Sequence, residues 1–129
     1  MTDIYAKPVI IDIETGKIIS NESFEADMLF DAYLLGYNFQ AEEFNKEIDS
    51  WNEEFDRLYP DIYNDLDNPV NEKFYDSFII ERWRKIIDRF NNVLTTYVKN
   101  AKLFIDDFCV KMNDGQGHII EMRVVNPNY

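Results

Sequence analysis

The chain has 129 residues, of which 46% are apolar and 16% aromatic, and its net charge is −12. That apolar content supports a packed core, so the composition excludes a disordered acidic chain and predicts one domain over residues 1–129. No apolar run approaches the roughly 20 residues that span a bilayer, so no membrane contact is expected. Nucleic acid repels an acidic surface and is not expected as a direct partner.

The residues that usually indicate location or catalysis are few. The single cysteine, Cys109, can form no internal disulfide, and the first residues lack a basic segment followed by an apolar one. Both observations predict a cytoplasmic protein. The chain contains no Gly-rich phosphate loop and no nucleophile motif, so we expect neither enzyme activity nor a cofactor.

The first predicted element is a β-hairpin. Val9–Ile13 forms a strand, Glu14–Gly16 a tight turn in which Gly16 takes a positive φ, and Lys17–Ser20 the returning strand. Alternation places Val9, Ile11 and Ile13 on one face.

Two acidic helices are predicted next. The first covers about Glu22–Leu35, with Asn21 as its cap and Gly36 as its end. The second, Ala41–Tyr59, ends at Pro60 and precedes an acidic loop, 61–68. Its apolar seam consists of Phe44, Ile48, Trp51, Phe55 and Leu58, which step by one helical turn.

A third helix begins at Asn68-Pro69, because proline suits the first helical position, and it ends near Asn100. Its seam includes Ile79, Trp83, Ile86 and Phe90, and both tryptophans of the chain are expected in the core. Basic residues on its exposed side are expected to pair with acids of the second helix: Arg82, Arg84, Lys85 and Arg89.

The C-terminal part predicts a second hairpin. Phe104–Met112 and His118–Val125 are strands, separated by a glycine-containing turn at 113–117. The expected inward residues are Phe108, Val110, Met112, Ile120, Met122 and Val124. The order ββ-ααα-ββ predicts an α+β fold, an antiparallel sheet from two hairpins with three helices on one face.

The net charge is confined to one block. Asn21–Asp67 contains fourteen acids and two bases, so its charge of −12 equals that of the whole chain. Acids on one helix face can occupy a cleft built for phosphates, which favours a basic protein as partner, here a nucleic-acid-processing enzyme. The predicted partner-binding residues are Glu42, Glu43, Glu47, Asp49, Glu53, Glu54, Asp56, Asp61, Asp65 and Asp67.

The leading hypothesis is therefore a small inhibitor that mimics the charge of DNA or RNA and acts by occlusion. In size, charge and lack of catalytic motifs the chain resembles phage anti-CRISPR and anti-restriction proteins. One alternative is an immunity protein or antitoxin that neutralises a basic toxin. Another is an assembly protein that forms a homodimer through the seam of the third helix. The simplest alternative is an acidic surface that only maintains solubility.

One motif points to an enzyme instead. Asp12–Gly16, with the sequence Asp-Ile-Glu-Thr-Gly, resembles the first motif of DEDD-type exonucleases, and 71–76 loosely resembles the second. The resemblance implies two-metal phosphodiester hydrolysis with Asp12 and Glu14 as ligands. No third motif follows Asp76, and a hairpin turn explains the same residues, so a metal-dependent nuclease is the least favoured reading.

Other potential metal ligands do not form a recognised set. Asp65, Asp67 and Asp76 have part of the spacing of a calcium loop, but Val70 stands where that loop requires glycine. His118 has no cysteine or second histidine at ligand spacing, and no metal site is expected.

Overall fold

A computed structural model describes residues 5–19, 26–96 and 98–125. The elements found in these residues are β1 (Tyr5–Asp12), β2 (Ile18–Ile19), α1 (Ala26–Leu58), α2 (Pro60–Tyr63), α3 (Pro69–Leu94), β3 (Lys102–Asp106), β4 (Cys109–Asn113) and β5 (His118–Val125). The strands pair in the order β2-β1-β5-β4-β3, and every pair is antiparallel. The α+β fold is therefore confirmed.

The N-terminal hairpin is confirmed, and burial decreases from Val9 to Ile13 along the face on which alternation groups them. Gly16 has φ of 70° in the turn between β1 and β2. Ile10, opposite Ile120 in β5, is fully buried, whereas Ile13 is 49% exposed. Apolar residues occupy both faces of this strand, so alternation alone cannot assign the face that the helices cover.

The two acidic helices are one helix, so the predicted end at Gly36 is wrong. A Cβ atom on Gly36 would lie 2.4 Å from Leu103 Cδ1 and 2.5 Å from Phe90 Cε1. The glycine therefore permits close packing of α1 on α3 and β3 rather than ending a helix. The predicted cap Asn21 and residues 22–25 lie outside the described residues.

Proline defines the next two boundaries as predicted. α1 ends at Leu58, and Pro60 begins the short α2 within the segment that was predicted to be a loop. Asn68 caps α3 by accepting the Val70 N–H at 3.0 Å. The α3 helix ends at Leu94, before the predicted Asn100, in agreement with the β-branched residues that follow.

The predicted strand Phe104–Met112 is wrong because it contains a hairpin. Asp107 and Phe108 form its two-residue turn, with φ of 51° and 61°. Neither residue is glycine or asparagine, so the sequence lacks the usual indication of such a turn. Phe108 is exposed instead of inward, and so is Val124; Val110, Met112 and Ile120 are buried as predicted.

The interior has two parts. Strand residues and the helices share the larger core, which includes Tyr33, Trp83 and Phe90. A second cluster around Trp51 consists of helical residues alone. We name residues 47–76, which run from the part of α1 that contains Trp51 through α2 to the first turns of α3, the helical tip. The seam of α3 is buried within one chain, and the homodimer hypothesis stays a prediction.

A candidate acidic binding surface

The helical tip directs its apolar seam inward and its acids outward. Trp51 and Phe55 are buried, and Phe44 and Ile48 are partly buried, as the seam predicted; Leu58 is exposed. The acids on the opposite side of α1 are all exposed: Glu42, Asp49, Glu53 and Asp56. From the first to the last of them the helix rises by about 21 Å. One face of α1 thus presents a row of carboxylates.

Part of the predicted acidic surface is neutralised within the chain. Lys46 lies 3.4 Å from Glu42 and 3.8 Å from Glu43, and Arg89 lies 3.9 Å from Glu43. These pairs are exposed and long, so each contributes little to stability. They nevertheless place positive charge beside the first turns of the predicted surface.

The ion pair between Arg82 and Glu54 is shorter than those formed by Lys46 and Arg89. Arg82 Nη2 donates to Glu54 Oε1 at 2.9 Å, and the guanidinium lies 3.4 Å from the centre of the Phe78 ring. The ion pair joins α1 to α3, whereas the contact with Phe78 lies within α3, so Glu54 belongs to the packing of the two helices. Arg84 and Lys85, the other two bases predicted to pair, form no ion pair with any described residue.

Seven of the ten predicted acids remain exposed and have no basic partner among the described residues. They are Glu47, Asp49, Glu53, Asp56, Asp61, Asp65 and Asp67. All seven lie in the helical tip, whose sequence contains ten acids and two bases. The structure therefore places these seven unpaired carboxylates together in the helical tip, while other exposed acids such as Glu14, Asp88 and Asp107 lie outside it.

In the sheet, four charged side chains form ion pairs with one another. Lys111 Nζ lies 2.9 Å from Asp106 and 3.2 Å from Glu121, and Arg123 donates to Glu121 at 2.6 Å. The hydrogen bond with Asp106 raises the pKa of Lys111. Burial opposes ionisation of Glu121, but hydrogen bonds from Arg123 and Lys111 hold its pKa below the usual value. These four charges cancel locally, unlike the seven unpaired acids of the helical tip.

The residues that suggested a nuclease form a turn. Asp12 Oδ1 accepts the N–H groups of Glu14 at 2.8 Å and Thr15 at 3.1 Å, which closes the β1–β2 hairpin. Among residues 5–19, 26–96 and 98–125, no three His, Cys, Asp or Glu side chains are placed to hold a metal ion. Asp12, Glu14 and Asp76 are therefore not brought together.

The remaining polar candidates have structural partners. Asn71 Nδ2 donates to the Asp65 carbonyl oxygen at 3.0 Å and so ties the acidic turn to α3. Asp114 is buried and lies 2.7 Å from His118 Nδ1, while its other oxygen accepts the Gln116 and His118 N–H groups. This pair orders the β4–β5 turn.

One feature of the helical tip was missed by the sequence reasoning. Four apolar side chains are exposed there, and we name them the tip patch: Leu58 at 50%, Tyr59 at 37%, Val70 at 74% and Phe74 at 43%. Periodicity places Leu58 on the apolar seam of the second predicted helix, and Phe74 widens the seam of the third. Periodicity identified these positions as apolar. It could not show that both apolar seams extend beyond the neighbouring residues of the same chain that would cover them.

Comparison with known proteins adds no relative to this description, because no protein-family model, curated protein or solved structure matches the chain. None of the described helices is long and apolar enough to cross a membrane.

Proposed function

We propose that this protein is an inhibitor that binds a basic nucleic-acid-binding enzyme through the helical tip and occludes its cleft. The observation that carries the proposal is the group of seven exposed carboxylates without basic partners, which lie together in the helical tip. A surface that only maintained solubility would need no such segregation, and in the sheet of the same protein Asp106, Lys111, Glu121 and Arg123 neutralise one another.

The physical mechanism is electrostatic competition. Carboxylates on one helix face recur at about 5.4 Å per turn, while each strand of duplex DNA presents a phosphate about every 3.4 Å. The spacings are similar enough for the Arg and Lys side chains of a cleft to reach either set. Association would be fast and would weaken steeply as salt concentration rises.

A charge-reversal experiment tests this proposal. In the test variant Asp49, Glu53 and Asp56 are changed to Lys; none of them contacts a base in the structure. In the control variant Glu14, Asp88 and Asp107, which are exposed outside the tip, are changed to Lys. The two variants have the same net charge and differ only in where the charge was reversed.

Each protein is immobilised and exposed to a cell extract, and the captured nucleic-acid-binding enzymes are released with short duplex DNA. Wild type and control should capture the same enzyme and lose it to DNA, and the test variant should capture none. Capture that the tip reversal leaves intact, or that excess DNA does not compete with, would contradict the proposal.

A further inference from the structure

We propose that the tip patch is the apolar centre of an interface, and that its occupant is an amphipathic basic helix of a partner protein. This inference rests on the proposed function, because it concerns the same end of the molecule. It adds that recognition is not purely electrostatic: the partner must bring apolar side chains as well as Lys and Arg.

The two aromatic rings of the patch pack on each other and on a buried ring beneath them. The Tyr59 and Phe74 rings pack edge to face with centroids 4.9 Å apart. Both also contact the buried Phe55 ring, at 5.3 Å and 5.8 Å. Val70 lies one helical turn before Phe74 on α3 and extends the same surface. The two rings are therefore ordered before any partner arrives, which lowers the entropic cost of binding.

The surroundings of the patch indicate the chemistry of its occupant. Asp56 and Asp61 flank Leu58 and Tyr59 along the chain, and Asp67 closely precedes Val70; all three carboxylates are exposed. An apolar centre inside a polar rim is the usual organisation of a protein interface. Arg57 and Lys73 are also exposed beside the patch, but the helical tip contains ten acids and only these two bases, so a matching surface has apolar residues surrounded mainly by bases.

A helix satisfies both requirements most simply. Leucines that recur at helical spacing form an apolar stripe that can lie across the rings, and lysines beside that stripe reach the carboxylates. Nucleic acid offers no such stripe and repels the rim. The patch therefore distinguishes a protein partner from a simple polycation, which would bind the acids alone.

Two synthetic peptides of equal charge separate these contributions. The first is a helical Leu/Lys peptide with leucines on one face, and the second replaces every leucine with alanine. The test variant is Val70→Gln/Phe74→Gln, and Val70→Gln alone serves as a second test, because glutamine favours a helix more than valine does. The matched control is Leu35→Gln/Val93→Gln, which changes two exposed apolar residues elsewhere on the same helices.

Dissociation constants are measured by calorimetry at low and moderate salt. Wild type and control should bind the Leu/Lys peptide about tenfold more tightly than the Ala/Lys peptide, and both tip variants should lose most of that difference. Binding of the Ala/Lys peptide should be the same in all four proteins. Equal affinity of wild type for the two peptides, or an equal loss in the control, would overturn the inference. If the variant with Asp49, Glu53 and Asp56 changed to Lys still bound both peptides, the proposed function would be contradicted as well. If only the preference for the leucine-containing peptide is missing, the inference about the tip patch is wrong and the proposed function is unaffected.

Discussion

The Tyr33 hydroxyl donates a hydrogen bond to the Val110 carbonyl oxygen at 2.7 Å, deep in the core. β4 and β5 pair at Met112 and Ile120, and the same register would place Val110 opposite Met122. The described pairing stops before that point. A side chain of α1 thus bonds a β4 carbonyl that lies beyond the described β4–β5 pairing, and it fastens the helix to β4.

Replacing Tyr33 with Phe should therefore lower the free energy of unfolding by about 1–3 kcal/mol, because a buried carbonyl loses its donor. Urea denaturation followed by circular dichroism measures the change. Tyr37→Phe is the matched control, since no hydrogen bond of the Tyr37 hydroxyl to a described residue is present, and it should cost much less. Equal effects would mean that the bond to Val110 contributes nothing.

Stability should fall at alkaline pH. Burial raises the pKa of Tyr33 above its ordinary value of 10.0, and the pKa of Tyr75 is raised by the same cause. Above pH 10 the unfolded chain loses these protons while the folded protein retains them, so each group lowers stability by up to about 1.4 kcal/mol per pH unit. Tyr33→Phe should show a shallower alkaline decline, measured by urea unfolding at a series of pH values. An unchanged slope would contradict the assignment to Tyr33.

Gly36→Ala should destabilise the protein although alanine is the better helix former. The new Cβ would overlap the side chains of Leu103 and Phe90, both buried. We expect a helical gain of about 1 kcal/mol to be outweighed by an overpacking cost of about 1–3 kcal/mol. Ser50→Ala, at an exposed position of the same helix, should be neutral or slightly stabilising in the same urea experiment. A stabilised Gly36→Ala variant would mean that the side chains of Leu103 and Phe90 can shift to make room for the Cβ atom at little cost.

Asp107→Gly should stabilise the protein by about 1 kcal/mol, since glycine adopts a positive φ without the strain of a Cβ. Asp107 has φ of 51° in the β3–β4 turn and is exposed, so little else is lost. Asp106→Gly, one residue earlier in the strand, should destabilise because it removes the ion pair with Lys111. Thermal unfolding of the two variants distinguishes turn strain from a general effect of glycine.

Neutralising the free acids should stabilise the fold while it weakens binding. Asp49, Glu53 and Asp56 are spaced at one turn and repel one another, so changing them to Asn, Gln and Asn should gain about 0.5–1 kcal/mol. Added salt should stabilise the wild type more than this variant. Glu54→Gln, which weakens the contact with Arg82, should destabilise instead. A loss of stability in the triple variant would show that these acids serve the fold.

Residues close to one another in the sequence determined several features of this structure. The composition predicted a folded acidic chain, Pro60 and Pro69 marked two helix boundaries, and the spacing of Trp51 and Phe55 separated the buried side of α1 from its acids. These features depend on residues within one or two helical turns of each other. Sequence patterns report such neighbours directly.

Only the tertiary structure decided which acids remain available and what lies beside them. Whether Glu54 meets Arg82 depends on how α1 and α3 pack, across 28 positions of the chain. The sequence predicts a helix end at Gly36, whereas the structure shows that Leu103 and Phe90 pack closely against this glycine within the helix. The sequence pattern places Leu58 and Phe74 on apolar seams. In the structure both are exposed, and no described strand residue contributes to the second cluster. In each case a contact between distant segments overrides the local preference, and such contacts have no periodicity in the sequence.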